Sequence, residues 1–222
     1  MRMIRKRRMG GPPGPPIPTQ RKPLKILAVA DVESKYIWEH FDHDVFRGVD
    51  LIISCGDLKA SYLSYLVTMI PAPLFYVHGN HDLTYDRKPP LGCECIDGRV
   101  AEYKGLRIAG LGGCLGSDPA NPQQFSELQM EKRVRRLEGE LRRDARLDIF
   151  VSHAPAFGVG DGMAFHEGVR SFHEIYRLNQ PRLHLFGHIH TLGSPFPAPG
   201  QAMFVSGPTT AVNCAGYRFI DI

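Results

Sequence analysis

Five apolar runs, each closed by a side chain that can hold a metal ion, constrain this chain more than any other feature. IleLeuAlaValAla leads to Asp31, with Glu33 just beyond; LeuIleIleSerCysGly leads to Asp57 and LeuPheTyrValHisGly to Asn80. IlePheValSer leads to His153, and LeuHisLeuPheGly to His188, with His190 just beyond. Short apolar runs of this kind read as buried strands. In open α/β sheets ligands bind at the carboxyl ends of strands, where loops and free backbone groups converge. Five such ends supplying carboxylates, a carboxamide and imidazoles describe a metal cage, large enough for two hard or borderline divalent ions.

The rest of the pattern supports an α/β domain. Residues 26–30, 51–55 and 74–78 read as strands, separated by helices over 34–41 and 60–70, the second stopped by Pro71. This alternation is a βαβ core. Residues 99–111 alternate about Lys104–Gly105 as a hairpin does. Ser126 and Gln129 form a capping-box signal for a helix over 126–144, with Met130, Val134, Leu137 and Leu141 at helical spacing. Further strands are expected at 148–152, 182–186, 202–206 and 217–222, and a helix near 166–178.

Charge is distributed unevenly. Arg2, Arg5, Lys6, Arg7, Arg8, Arg21, Lys22 and Lys25 place eight positive charges and no acid in the first 25 residues, so a chain of net charge +4 leaves about −4 on the remainder. Residues 1–22, basic and rich in Gly and Pro, read as a tail, and 23–222 as the domain. A mildly acidic body argues against a nucleic-acid polymer as partner. Cys55, Cys93, Cys95, Cys114 and Cys214 make an odd, irregularly spaced set, which fits a reducing, cytoplasmic setting better than a disulfide framework. No apolar run reaches the ~20 residues that span a bilayer. The basic start lacks the apolar core of a secretory signal.

Asp31-x-Glu33, Gly56-Asp57, Gly79-Asn80-His81-Asp82, His153 and Gly187-His188-Ile189-His190, in that order, resemble the motifs of the calcineurin-like metallophosphoesterase family. The resemblance runs from about Lys25 to the C-terminus. HisAlaProAlaPheGly (153–158) and ProArgLeuHisLeuPheGlyHisIleHis (181–190) are similar to the branch of class III cyclic-nucleotide phosphodiesterases and metallophosphoesterase-domain-containing proteins. The resemblance implies a four-layer αββα sandwich of two mixed sheets flanked by helices. It implies that Asp31, Asp57 and His190 hold a first divalent ion, and that Asp57, Asn80, His153 and His188 hold a second, with Asp57 bridging. A hydroxide between the ions would attack phosphorus; His81 would donate to a phosphoryl oxygen or the leaving group, and Asp82 would orient it. Mixed imidazole and oxygen donors suit Mn²⁺ first, then Fe, Zn²⁺, Ni²⁺ or Mg²⁺.

One position departs from the pattern: Glu33 stands where the family has His. Three alternatives follow: direct ligation, the holding of a metal-bound water, or a partial loss of affinity at the first site. His166 is a further residue that could touch substrate, and Lys59, Arg87 and Arg170 are candidate partners for phosphate charge. The expected function is hydrolysis of a small phosphodiester. The alternatives are a phosphomonoesterase or protein phosphatase, and a non-catalytic protein-interaction scaffold of the same fold, as in a retromer subunit. The sequence leaves the oligomeric state open.

Overall fold

The computed structural model describes residues 23–141, 146–161, 166–189 and 202–222. The basic tail therefore lies outside the described residues, as do His190 and the last residues of the helix expected over 126–144. Two large mixed sheets form the centre. The first is built from β1 (Lys25–Ala30), β2 (Leu51–Ser54), β3 (Leu74–Tyr76), β4 (Cys93–Cys95) and β13 (Gly216–Asp221), in the order β13-β1-β2-β3-β4. Strands β1 to β4 run parallel, and β13 returns antiparallel on the edge of β1.

The second sheet contains β5 (Val100–Tyr103), β6 (Leu106–Leu111), β9 (Ile149–Ser152), β10 (Leu183–Phe186), β11 (Met203–Ser206) and β12 (Thr209–Asn213), in the order β11-β12-β10-β9-β6-β5. A two-stranded ribbon, β7 (Cys114–Leu115) with β8 (Gln124–Phe125), leads into the helix that follows.

The alternation of strand side chains builds four layers. From β1, Ile26, Ala28 and Ala30 enter the core between the two sheets, where they meet Ile108, Ile149, Val151 and Leu185. Leu27 and Val29, on its other face, pack with Ile37 of α1 (Lys35–Glu39) and with Tyr62, Leu63 and Leu66 of α2 (Ala60–Met69). On the far side, Phe150 and Phe186 pack against Met130, Val134, Leu137 and Leu141 of α3 (Glu127–Leu141) and Phe172 and Ile175 of α4 (Phe172–Asn179). Both faces of the parallel strands are thus covered, which is why residues 26–30 of β1 and 51–53 of β2 are all apolar.

The capping box forms in both directions: Gln129 N donates to Ser126 Oγ at 3.3 Å, and Ser126 N donates to Gln129 Oε1 at 2.7 Å. Several elements differ from the sequence expectation, the ribbon of β7 and β8 among them. The helix placed near 166–178 begins only at Phe172, because the preceding segment is taken up by pairing of Val169 with Ala156. Strand β12 is additional, and β4 is a short edge strand with a half-exposed face. No helix among the described residues is long and apolar enough to cross a membrane.

Candidate metal centre

The expected strand ends do meet. Asp31 follows β1, Asp57 follows β2, Asn80 follows β3, His153 follows β9 and His188 follows β10. Within the first sheet Asp31 N donates to Gly56 O at 3.0 Å, within the second Gly187 N donates to His153 O at 2.9 Å, and Gly113 N, donating to His78 O at 2.7 Å, joins one sheet to the other. Asp31 (φ 63°), Asp57 (φ 58°) and His188 (φ 67°) all adopt left-handed backbone. Among the described residues, the other non-glycine residues with positive φ are Lys104 in the hairpin turn and Gln180 at the α4 C-cap, where such geometry is routine. Three candidate ligands in a conformation that costs free energy place local strain at the site.

His153 is the hub. It is fully buried, and its Nδ1 lies 2.8 Å from Cys55 O. A carbonyl only accepts, so Nδ1 keeps its proton, and Nε2 turns a lone pair to the site once the ring is neutral. That Nε2 lies 2.9 Å from Asn80 Oδ1, 3.1 Å from His188 Nδ1 and 3.3 Å from Asp57 Oδ2. Asp57, His153 and His188 present their donor atoms within 4.8 Å of one another. Lone pairs pressed together this closely repel unless a cation or a proton lies among them, and the donor types suit a divalent ion. The set therefore fits a metal.

The electrostatics describe the same convergence. Burial pulls the His153 pKa down, but the hydrogen bond to Asp57 and the charges of Asp57 and Asp31 more than offset it, and it rises to about 9. Burial raises the Asp57 carboxyl, yet His153 holds it below the usual range. Burial pushes the Asp31 carboxyl up to about 7, with Asp57 adding to the rise and His153 opposing it. Asp31 accepts the His188 N–H on both oxygens, at 2.9 and 3.1 Å. Two glycines make room for these carboxylates: a Cβ at Gly79 would sit 2.0 Å from Asp57 Oδ1, and one at Gly187 2.5 Å from Asp31 Oδ2.

The remaining expected residues surround this group. His81 stands at the mouth of the site, its side chain 79% exposed, with Nε2 4.0 Å from Asp57 Oδ2 and its N–H donating to Asp57 Oδ1 at 2.7 Å. Asp82 does not orient the His81 ring. Its Oδ2 accepts Gly79 N at 2.7 Å and Asp57 N at 2.9 Å, so it ties the two ligand loops together. Glu33 lies on the cleft wall, engaged by Trp38 and Lys59. His166 packs its ring 4.7 Å from that of His188, and its buried Nδ1 has no partner among the described residues.

Of the candidate phosphate cations, only Lys59 lines the cleft. That cleft, about 510 Å³, is walled by Asp31, Glu33, Asp57, Lys59, His81 and Tyr85 among others. Arg170 lies over Phe157 and pairs with Glu167, lining a larger, about 830 Å³, groove between α3 and α4. None of the candidate ligands lines that groove, and its opposite charges neutralise one another through pairs such as Glu174–Arg177, so the chemistry belongs to the smaller cleft.

Two supports had no signal in the sequence. Asn213, buried at the end of β12, donates from Nδ2 to Ile189 O at 3.0 Å and accepts Ala215 N at 3.0 Å. Asn121 donates from Nδ2 to Asn80 O at 2.8 Å. Both act on the backbone beside a ligand, which only proximity in the fold reveals.

The model of the calcineurin-like phosphoesterase family matches residues 24–192. One solved crystal structure superposes with a TM-score of 0.61 at 17% identity, covering 90% of this chain and 95% of its own. TT1561 of Thermus thermophilus superposes with a TM-score of 0.59 at 14% identity, covering 90% and 99%. GAP50, the anchor in the inner membrane complex of Plasmodium, gives 0.53 at 15% identity, covering 87% and 71%. These likenesses establish the shared fold. No curated protein sequence matches the chain significantly.

Proposed function

The chain belongs to the calcineurin-like phosphoesterase family, and from that premise we propose that it is a metal-dependent hydrolase of a small phosphodiester. The observation that carries the reading is the meeting of His153 Nε2 with Asn80 Oδ1, His188 Nδ1 and Asp57 Oδ2 at 2.9 to 3.3 Å. We assign Asp57, Asn80, His153 and His188 to one divalent ion, and Asp31 with His190 to a second that shares Asp57. Mn²⁺ is the first choice for this mixture of imidazole and oxygen donors. When bound, the ions would supply the Lewis acidity that acidifies water to a pKa of about 7 and neutralises phosphoryl charge.

The chain's own groups supply the rest. The Cys55 carbonyl keeps His153 in the tautomer that offers Nε2. Asp82 fixes the Asp57 and Gly79 amides, and with them the position of the shared carboxylate. His81, at the open mouth, gives a proton to the leaving oxygen as the P–O bond breaks, a role that its exposure in the cleft supports. The cleft suits a small ester, in keeping with the size of ligand pockets. The preference for a diester rests on the resemblance of segments 153–158 and 181–190 to the diesterase branch.

The test is hydrolysis of bis-p-nitrophenyl phosphate and p-nitrophenyl phosphate with added Mn²⁺. We expect turnover of the diester, dependence on the ion, and a fall of about 10²-fold or more in His81→Ala. Faster hydrolysis of the monoester would move the assignment to a phosphomonoesterase. No turnover with Mn²⁺, Fe²⁺, Zn²⁺, Ni²⁺ or Mg²⁺, in protein shown to be folded, would leave the scaffold reading.

A further inference from the structure

Glu33 occupies a position where the family places a metal-binding histidine, yet its carboxylate is already committed. Oε2 accepts the Trp38 indole N–H at 2.8 Å and lies 3.5 Å from Lys59 Nζ; Oε1 accepts the Lys59 backbone N–H at 3.2 Å. Trp38 is itself braced, with its ring 4.7 Å from Tyr65 and 5.3 Å from Tyr62 on α2. Three donors from two elements therefore hold this carboxylate to the outer helical layer.

Lys59 is the residue that this arrangement serves. It is the N-cap of α2, where no side chain of its own caps the helix. A cation at a helix N-terminus meets the positive end of the helix dipole, and Ser, Thr, Asp or Asn is the usual choice there. Glu33 supplies from a distance both the missing acceptor and the balancing charge. The Lys59 side chain is 78% exposed and lies on the wall of the cleft that also carries His81 and Asp57. A helix needs no lysine at this point; an anion in the cleft would use one.

We propose that Glu33 is a positioning residue outside the metal coordination sphere, and that the Lys59 ammonium it holds binds the phosphoryl oxygens of the substrate. This rests on the phosphoesterase reading of the same cleft. Substrate oxygens replace Glu33 as the partner of Nζ, while the Trp38 and Lys59 backbone bonds keep Glu33 in place. The ligand class is therefore a phosphate ester whose non-bridging oxygens reach the mouth of the cleft between Lys59 and His81.

The test separates metal binding from phosphate binding. Calorimetric titration of Mn²⁺ into Glu33→Gln should give the wild-type stoichiometry with affinity within about threefold, since the amide leaves the ligand set intact. Titration of inorganic phosphate into Mn²⁺-loaded protein should weaken about tenfold in Lys59→Met, the loss expected for one charge-assisted hydrogen bond. Glu33→Gln should weaken phosphate in the same direction, and the double variant should be no worse than Lys59→Met alone. In turnover, Lys59→Met should raise KM and spare kcat. Loss of an equivalent of Mn²⁺ in Glu33→Gln makes Glu33 a ligand and ends the proposal, as does wild-type phosphate affinity in Lys59→Met. Wild-type protein that binds Mn²⁺ and phosphate through Lys59 but hydrolyses no ester would overturn the enzymatic reading and leave this one standing.

Discussion

Replacing Gly79 by alanine tests whether the site depends on close approach of the loops after β2 and β3. The new Cβ would lie 2.0 Å from Asp57 Oδ1, 2.4 Å from Asp57 N and 2.5 Å from Asp57 Cγ. Ordinary contact begins near 3.4 Å, so the loops must separate by about 1 Å, the backbone amide being unable to rotate away. That displacement breaks the bonds that hold Asp57: His81 N to its Oδ1 at 2.7 Å, and its own N–H to Asp82 Oδ2 at 2.9 Å. Each involves a carboxylate and is worth about 1.5–3 kcal/mol. With partial relaxation, we expect Gly79→Ala to cost about 3–5 kcal/mol. For a domain of this size that is a fall of about 8–15 °C in Tm. The assay is thermal unfolding with and without Mn²⁺, paired with calorimetric titration of the ion. The variant should lose most of the ion-dependent rise in Tm, because its carboxylate no longer meets His153. A Gly79→Ala protein that melts within 2 °C of wild type and binds Mn²⁺ equally well would refute the close-packed arrangement of these loops.

Other expectations concern the surroundings of the site. His184 is buried, with Tyr176 Oη 2.6 Å from Nδ1 and Ser152 Oγ 2.6 Å from Nε2, and burial lowers its pKa from 6.5 to about 3. The unfolded chain therefore takes up this proton first. His184 contributes stability that is present above pH 6.5 and lost as the pH falls toward 3, up to about 5 kcal/mol at ~1.4 kcal/mol per pH unit. Denaturant titrations at stepped pH should show that slope, and His184→Leu should flatten it whatever its absolute stability. Asn213→Ala leaves the Ile189 carbonyl without its partner, so chemical denaturation should show a loss of about 1–3 kcal/mol, accompanied by weaker Mn²⁺ binding through His188. Metal loading should release protons and weaken with acid, because Asp31 near 7 and His153 near 9 must both be deprotonated to ligate. Calorimetry in buffers of different ionisation enthalpy reads that release, and its absence at pH 6 would exclude both residues from the ligand set.

The apolar runs and their terminal donors made the sheet strands and most of the candidate site legible without coordinates. A buried parallel strand must be apolar on both faces, and so the ends of β1, β2, β3, β9 and β10 stood out. The capping box and helical spacing of α3 were equally local, and both appear as expected. Strand β12 was hidden: ThrThrAlaValAsn is short and mixed in polarity, and it becomes a strand because β10 and β11 pair with it. The start of α4 was misplaced for a similar reason, since the pairing of Ala156 with Val169 holds the residues before it extended.

Residue type and order along the chain determined which side chains hold chemistry, because a donor atom's identity is a property of the residue alone. What those donors face was decided only by the tertiary structure. Asp82 reads as a partner for its neighbour His81, but the fold brings the Asp57 and Gly79 amides to it instead. Glu33 reads by position as a ligand or a holder of metal-bound water, and only the packing of α1 against α2 brings Trp38 and Lys59 to it. Asn213 carries no motif, yet it holds the carbonyl beside His188. Hydrogen bonds form between atoms close in space, and residues 24 to 157 positions apart become neighbours only when strands pair and the two sheets pack.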